Sequence, residues 1–254
     1  MDMRKSVVQV NTPLTVCMLK DGDLNAAKAL SGKLSLPLSD TPGDGLNVVF
    51  DGNGVSLSGY GLTYKGDFTD MLHRITNGRL HHEMISHIAK TKKENPKAID
   101  ATAGMGEDSL ILAACGYEVT MFEQNPVIAA LLRDALRRAK KHPELCDIVD
   151  RMTLIEGNSI ELMPKLTFSP DIIYLDPMFP KRQKSGLINK KLQLIQKLEQ
   201  PCFEGEALLN AAISLNPEKI IIKRPLKGEN LAGKTPSYTI KGKAIRYDCL
   251  AFPK

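Results

Sequence analysis

The feature that most constrains this chain is the run from Ala98 to Phe122. A short apolar strand, Ala98–Ala101, enters Asp100-Ala101-Thr102-Ala103-Gly104-Met105-Gly106-Glu107-Asp108, a helical pattern follows to Cys115, Gly116 ends it, and a second strand begins at Glu118. Strand, glycine turn, helix and strand make a βαβ unit, which requires a parallel pair and a helix covering one face of a sheet. Small residues let the turn bring its backbone close to a ligand, and the first turn of the helix presents N–H groups with no partner in the helix. This makes Asp100, Gly104 and Gly106 the first candidate site residues. The dinucleotide fingerprint G-x-G-x-x-G fails here, because Ser109 stands at its third glycine position, and that argues against a nicotinamide enzyme.

The alternation continues. Asn125 is placed to cap a helix that starts at Pro126 and runs to about Lys140. Strands are expected at Met152–Ile155, Ile172–Leu175 and Ile220–Ile222, a helix over Gln183–Leu198, and a closing hairpin from Tyr238–Ile240 and Ile245–Ala251. The expected fold is α/β and Rossmann-like: a mostly parallel sheet with helices on both faces and a C-terminal hairpin. Upstream, Leu80–Lys93 reads as a helix with Leu80, Met84, Ile85 and Ile88 on its buried face, stopped by Pro96. Residues 1–66 differ. Short β-type runs (Val7–Val10, Thr15–Met18, Val48–Phe50, Val55–Leu57 and Leu62–Tyr64) alternate with turns such as Asp51-Gly52 and Asn53-Gly54. The expected organisation is a small β-rich subdomain over 1–66, a connecting segment and helix over 67–95, and the α/β domain over 96–254.

In sheets of this kind, ligands bind beyond the carboxyl ends of the strands. Glu123 stands at such an end, 23 residues after Asp100, where a carboxylate can accept both hydrogen bonds of a ribose diol; the plain alternative is a solvated strand-end acid. After the strand Ile172–Leu175 comes Asp176-Pro177-Met178-Phe179-Pro180. This order resembles the Asp/Asn, Pro, variable, aromatic motif of amino-methyltransferases. A base amine is a poor nucleophile, because its lone pair is delocalised into the ring. A carboxylate and a rigid carbonyl can accept its two N–H bonds and aim the nitrogen, while an aromatic ring stacks on the flipped base. Asp176, Pro177 and Phe179 are therefore the catalytic candidates.

Charge is uneven along the chain. Lys181–Lys254 holds 15 Lys and Arg against 6 Asp and Glu, a local net of +9, while residues 1–180 carry 19 against 23, a net of −4. A polyanionic partner is expected to meet Lys181, Arg182, Lys184, Lys190, Lys191, Lys223 and Arg224, with Lys227, Lys241, Lys243 and Arg246 extending the basic stretch; the alternative is a solvated basic face. His82-Glu83-Met84-Ile85-Ser86-His87 is not a zinc motif, because an i, i+5 spacing does not bring two histidines to one helix face. Five scattered cysteines form no C-x-x-C pair, so neither a metal nor a disulfide framework is expected. No apolar run is long enough to span a bilayer and the N-terminal stretch does not read as a signal peptide, so a cytoplasmic protein is expected.

With these residues in hand, the chain resembles the bacterial small-subunit (16S) ribosomal RNA guanine-N2 methyltransferase J family. DATAGMGED, FEQNPVIAALL, YLDPMFPKRQKSGL and IIIKRP carry the resemblance, which is densest over Asp100–Arg224. It implies S-adenosylmethionine as cofactor, guanine N2 in 16S ribosomal RNA as target, and ribosomal RNA or the small subunit as partner, with no metal and no membrane. By position it implies cofactor contacts at Glu107, Asp108, Glu123, Gln124, Asn158, Ser159 and Asp176. Three of these depart from the family's usual residues: Glu107 and Gln124 stand for arginines and Asn158 for a serine. The glycine-rich segment before Leu80 is reduced to Asn77-Gly78. The same Asp-Pro motif would also serve a DNA adenine or a glutamine amide, and the fold alone would serve a non-catalytic RNA-binding module.

Overall fold

A computed structural model describes residues 13–76, 78–177, 190–198 and 204–252. The chain forms two compact units. One holds residues up to 66 together with 125–135 and the helix at 190–198, and the other holds the remaining described segments. Two later segments thus join the N-terminal residues in one body.

In the first unit, strands β1 (Leu14–Met18), β2 (Leu38–Ser39), β3 (Leu46–Asp51), β4 (Gly54–Gly59) and β5 (Leu62–Tyr64) make a sheet of order β2-β1-β3-β4-β5. The two hairpins β3–β4 and β4–β5 are antiparallel, whereas β1 runs parallel to both β2 and β3. The parallel pairing needs a crossover, supplied by helix α1 (Leu24–Leu34), which the sequence reading leaves unassigned. Asp23 caps α1 by accepting from the Ala26 N–H at 3.0 Å, and Ser35 ends it in the left-handed region at φ 55°.

The second unit carries the α/β sheet. Short helices α2 (Leu72–Ile75) and α3 (Met84–Ile88) lead into it. The expected helix Leu80–Lys93 is broken: a 3-10 turn, Leu80–His82, precedes α3, with Glu83 extended between them at ψ 122°. Arg74 grips both Glu83 carboxylate oxygens, at 2.8 and 2.7 Å, and Ser86 Oγ donates to the Leu80 and Glu83 carbonyls. These local bonds compete with a continuous helix. Ile85 and Ile88 are buried as expected, while Leu80 and Met84 remain partly exposed.

The elements then follow as β6 (Lys97–Asp100), α4 (Glu107–Ala114), β7 (Glu118–Glu123), α5 (Pro126–Ala139), α6 (Cys146–Val149), β8 (Met152–Glu156), α7 (Ser159–Leu162), β9 (Ile172–Leu175), α8 (Lys190–Leu198), α9 (Gly205–Ser214), β10 (Lys219–Pro225), β11 (Tyr238–Lys241) and β12 (Ile245–Ala251). The unassigned helix α9 lacks a side-chain cap. Asn125 does cap α5, accepting from the Val127 and Ile128 N–H groups at 3.0 and 3.3 Å. No described helix is long and apolar enough to cross a membrane.

The seven strands lie in the order β8-β7-β6-β9-β10-β12-β11. All neighbours are parallel except β12, which is antiparallel to both β10 and β11. Strand order therefore reverses between β6 and β9, and the carboxyl ends of those two strands form the crevice where such sheets bind ligands. Period-2 alternation divides the sheet's residues. Ile99, Ile173, Leu175, Ile220, Ile222 and Leu250 pack in one core with α9. Asp100, Tyr174, Ile221 and Lys223 point to the other face, where α4 lies.

Candidate active site

The glycine turn is built by β6 and held by its neighbours on both sides. Asp100, 1% exposed, ends β6, and its carboxylate accepts from the Thr102 N–H at 3.1 Å and from Ser109 Oγ at 2.5 Å. Burial pushes this carboxyl up to about 7, against the pull of those two hydrogen bonds. Asp100 therefore shapes the turn from inside rather than facing a ligand, which corrects its reading as a contact residue. The turn reaches across to β7 through the Ala103 N–H, which donates to the Phe122 carbonyl at 3.0 Å. Gly104 and Gly106 take φ values of +54° and +78°, a region that side chains with a Cβ rarely adopt, and Gly106 opens α4.

Glu123 ends β7, and its Oε2 accepts from the Gly104 N–H at 2.9 Å. The acid and the glycine turn thus meet. Space in front of Gly104 is open: a Cβ there would find no atom within 4 Å. A backbone turn with open space before it and an acid on one side suits a nucleoside ligand. Next to β7, strand β8 is followed by Gly157, whose N–H donates to the Glu123 carbonyl at 2.8 Å. Asn158 then caps α7 by accepting from the Ile160 N–H at 3.0 Å, and Ser159 is buried. Gln124 and Glu107 are exposed.

Across the crevice, the Asp176 N–H donates to Thr102 Oγ1 at 2.7 Å, which fastens the segment after β9 to the glycine turn. The Asp176 carboxylate is bonded on its other side by Lys223 Nζ at 3.0 Å. The same ammonium lies 2.8 Å from Asp108 Oδ2, which also accepts from Tyr174 Oη at 2.6 Å. Burial raises the Asp176 carboxyl above its ordinary value, and Lys223 opposes that rise. Burial by itself would lower the Lys223 ammonium; Asp108 and Asp176 outweigh it and hold the pKa above the usual lysine range.

Two residues read as phosphate contacts stand elsewhere. Lys223 is engaged by two carboxylates, and Arg224 is 4% exposed. Arg246 is likewise buried, forked onto Asp248 and donating to the carbonyls of Pro225, Leu226 and Gly228. Lys190 and Lys191 open α8. Phe179, Lys181, Arg182 and Lys184 lie outside the described residues. Thr102 and Tyr174 were missed. A lysine directly after the apolar run Ile220-Ile221-Ile222, still on the same strand, was the available signal for the Lys223 bridge, because alternation with Ile221 turns it toward α4 rather than toward solvent.

A sheet of this order, reversing between its first and fourth strands beside a glycine turn and an acid-ended second strand, defines a class I S-adenosylmethionine-dependent methyltransferase. The comparisons agree and are more particular. Residues 61–251 match the family model described as "Putative SAM-dependent methyltransferase". The chain is 37% identical to the ribosomal RNA small subunit methyltransferase J of Thioalkalivibrio sulfidiphilus, over 87% of this chain and 91% of that protein. It is 36% identical to the protein of the same name from Pseudomonas aeruginosa, with 95% of each covered. The crystal structure of a SAM-dependent methyltransferase from Neisseria gonorrhoeae superposes with a TM-score of 0.72 at 33% identity, covering 93% of this chain and 96% of that one. The chain belongs to the ribosomal RNA small subunit methyltransferase J family, and its cofactor is S-adenosylmethionine.

Proposed function

We propose that this protein methylates guanine N2 of the small-subunit ribosomal RNA, in the cytoplasm. The observation that carries the chemistry is the double anchoring of Asp176 at the mouth of the crevice. Its backbone is fixed by Thr102 and its carboxylate by Lys223, yet the side chain is still 37% exposed. The relatives' shared name supports ribosomal RNA as the substrate class, and the net of +9 over Lys181–Lys254 suits a phosphate backbone.

In this reading the N–H groups of the turn at Gly104 and Gly106 and of the first turn of α4, with Glu123, Gln124, Asn158 and Ser159, hold the cofactor. Glu123 takes the ribose hydroxyls, and Glu107 lies at the exposed end of the same turn. Bound there, S-adenosylmethionine supplies an electrophilic methyl carbon. The remaining work is alignment. Asp176 accepts one N–H of the target amine, the Pro177 carbonyl accepts the other, and both point the nitrogen lone pair into the crevice. As that nitrogen gains its methyl it sheds one proton, and the Asp176 carboxylate is the acceptor at hand. Phe179 stacks on the flipped base, while Lys181, Arg182, Lys184, Lys190 and Lys191 meet phosphates.

The test is mass spectrometry of nucleosides from purified small subunits, free 16S RNA and duplex DNA incubated with protein and cofactor. The expected product is N2-methylguanosine in RNA. Methyladenine in DNA, or no methylated nucleoside in any of the three, would overturn the reading.

A further inference from the structure

Lys223 has a place in the fold that its charge alone does not explain. It lies on β10 one residue beyond the last registered pair, Ile222 with Leu175 of β9, and so runs alongside Asp176. Its Nζ sits between Asp108 Oδ2 at 2.8 Å and Asp176 Oδ2 at 3.0 Å, and the side chain is 25% exposed. The rings of Tyr174 and Tyr247, both buried, flank the bridge with centroids 6.4 Å apart. One cation between two carboxylates leaves a net negative site, which would repel a phosphate rather than bind one. Asp108 belongs to the first turn of α4, so the bridge joins the helix behind the glycine turn to the residue that follows β9.

We propose that Lys223 is a positioning residue of the methyl-transfer step: by bridging Asp108 and Asp176 it fixes the direction of the Asp176 carboxylate against the target amine. This rests on the amine-acceptor role of Asp176 given above. A carboxylate at the open end of a strand has free rotation about its side-chain bonds, and an acceptor that wanders loses the alignment on which an uncharged nitrogen depends. Thr102 fixes only the Asp176 backbone. Lys223 holds the carboxylate by its Oδ2, and Tyr174 steadies the far carboxylate by donating to Asp108. Charged and titratable groups facing the bridge are Asp100 from β6, Asp108 from α4, Tyr174 and Asp176 from β9 and its end, Arg224 from β10 and Tyr247 from β12.

The test uses the full-length protein with small-subunit ribosomal RNA under single-turnover conditions. Cofactor affinity is measured by calorimetry, and Lys223→Met and Lys223→Arg are each made in the parent and in Asp176→Asn. Lys223→Met is expected to lower the rate by about 30-fold or more while cofactor affinity and RNA KM stay within about threefold, as for a group felt in the transition state. Lys223→Arg should recover most of the loss. The acid limb of the pH–rate profile should move to higher pH in Lys223→Met, because losing the cation lets the Asp176 carboxyl hold its proton longer; a merely structural lysine would leave that limb in place. In the Asp176→Asn background, Lys223→Met should cost no more than about threefold, since the two act through one group. If Lys223→Met does not fold, Lys223→Gln carries the same measurements. A parental rate with an unmoved acid limb, a loss of cofactor affinity as large as the loss of rate, or an undiminished effect in Asp176→Asn would each overturn the inference. A parental rate in Asp176→Asn itself would instead sink the amine-acceptor reading on which it stands.

Discussion

The backbone N–H of Gly104 donates to Glu123 Oε2 at 2.9 Å, so the acid that ends β7 holds the glycine turn that follows β6. One side chain thus sets the shape of the glycine turn, and in the proposed reading it is also the acceptor for the cofactor's ribose. Glu123→Ala should weaken S-adenosylmethionine binding by about 1.5–3 kcal/mol, the range for hydrogen bonds to a charged group. That is roughly tenfold or more in Kd. Calorimetry checks it, and unchanged affinity would remove Glu123 from the cofactor site.

Asp176 and Thr102 make separable predictions. Asp176→Asn keeps the shape but exchanges one acceptor for an amide donor pair, and should lower the single-turnover rate about a hundredfold. Thr102→Val removes the acceptor of the Asp176 N–H and should destabilise the fold by about 1–3 kcal/mol, since it leaves that donor unsatisfied. Chemical denaturation beside rapid-quench methylation separates the two effects. Equal stability loss in both variants would mean Asp176 is structural.

Asp100 predicts a pH dependence of stability. Its carboxyl is raised by burial from 3.8 to about 7, so between those values the folded state holds a proton that the unfolded chain has lost. Stability from this group is therefore full below about pH 4 and declines as pH rises to about 7. Asp100→Asn can still accept from Thr102 and can donate to Ser109, and it does not titrate. Relative to the parent it should gain up to about 2–3 kcal/mol between pH 5 and pH 8, at about 1.4 kcal/mol per unit. Urea melts at the two pH values measure this, and a constant difference would show that Asp100 does not titrate in that window.

Arg246 predicts a stability effect without a binding effect. The Arg246–Asp248 pair is buried, with side chains 10% and 4% exposed. Removing one partner of such a pair costs about 3–5 kcal/mol. Arg246→Met should therefore lower the melting temperature, and the salt dependence of RNA binding should stay at the parental slope. A flattened slope would return Arg246 to the RNA-contacting surface.

The basic run after Pro177 is tested by charge. Neutralising Lys181, Arg182 and Lys184 together should reduce the log–log salt slope of RNA binding by about 0.7–0.9 per lost phosphate contact, with cofactor affinity unchanged. An unaltered slope would leave those residues as a solvated surface.

The sequence by itself determined the α/β class, the glycine turn, the acid behind it and the closing hairpin. Each of these follows from local chemistry: apolar alternation, glycines where φ must be positive, and Asn125 with Pro126 at a helix start. Family resemblance then carried the cofactor and the substrate class. Local pattern did not reveal α1, because a parallel β1–β3 pair demands a crossover only once that pairing is known. Nor did it reveal the division of roles among charged residues. Lys223, Arg224 and Arg246 counted equally toward a basic stretch, yet the fold binds the first to two carboxylates and buries the other two. Net charge is a sum over the chain, whereas ion pairing depends on which side chains reach one another across strands. Asp108 on α4, Asp176 just past β9 and Lys223 on β10 are spread over more than a hundred residues, and only the order of β6, β9 and β10 in the sheet brings both carboxylates within 3.0 Å of the Lys223 ammonium.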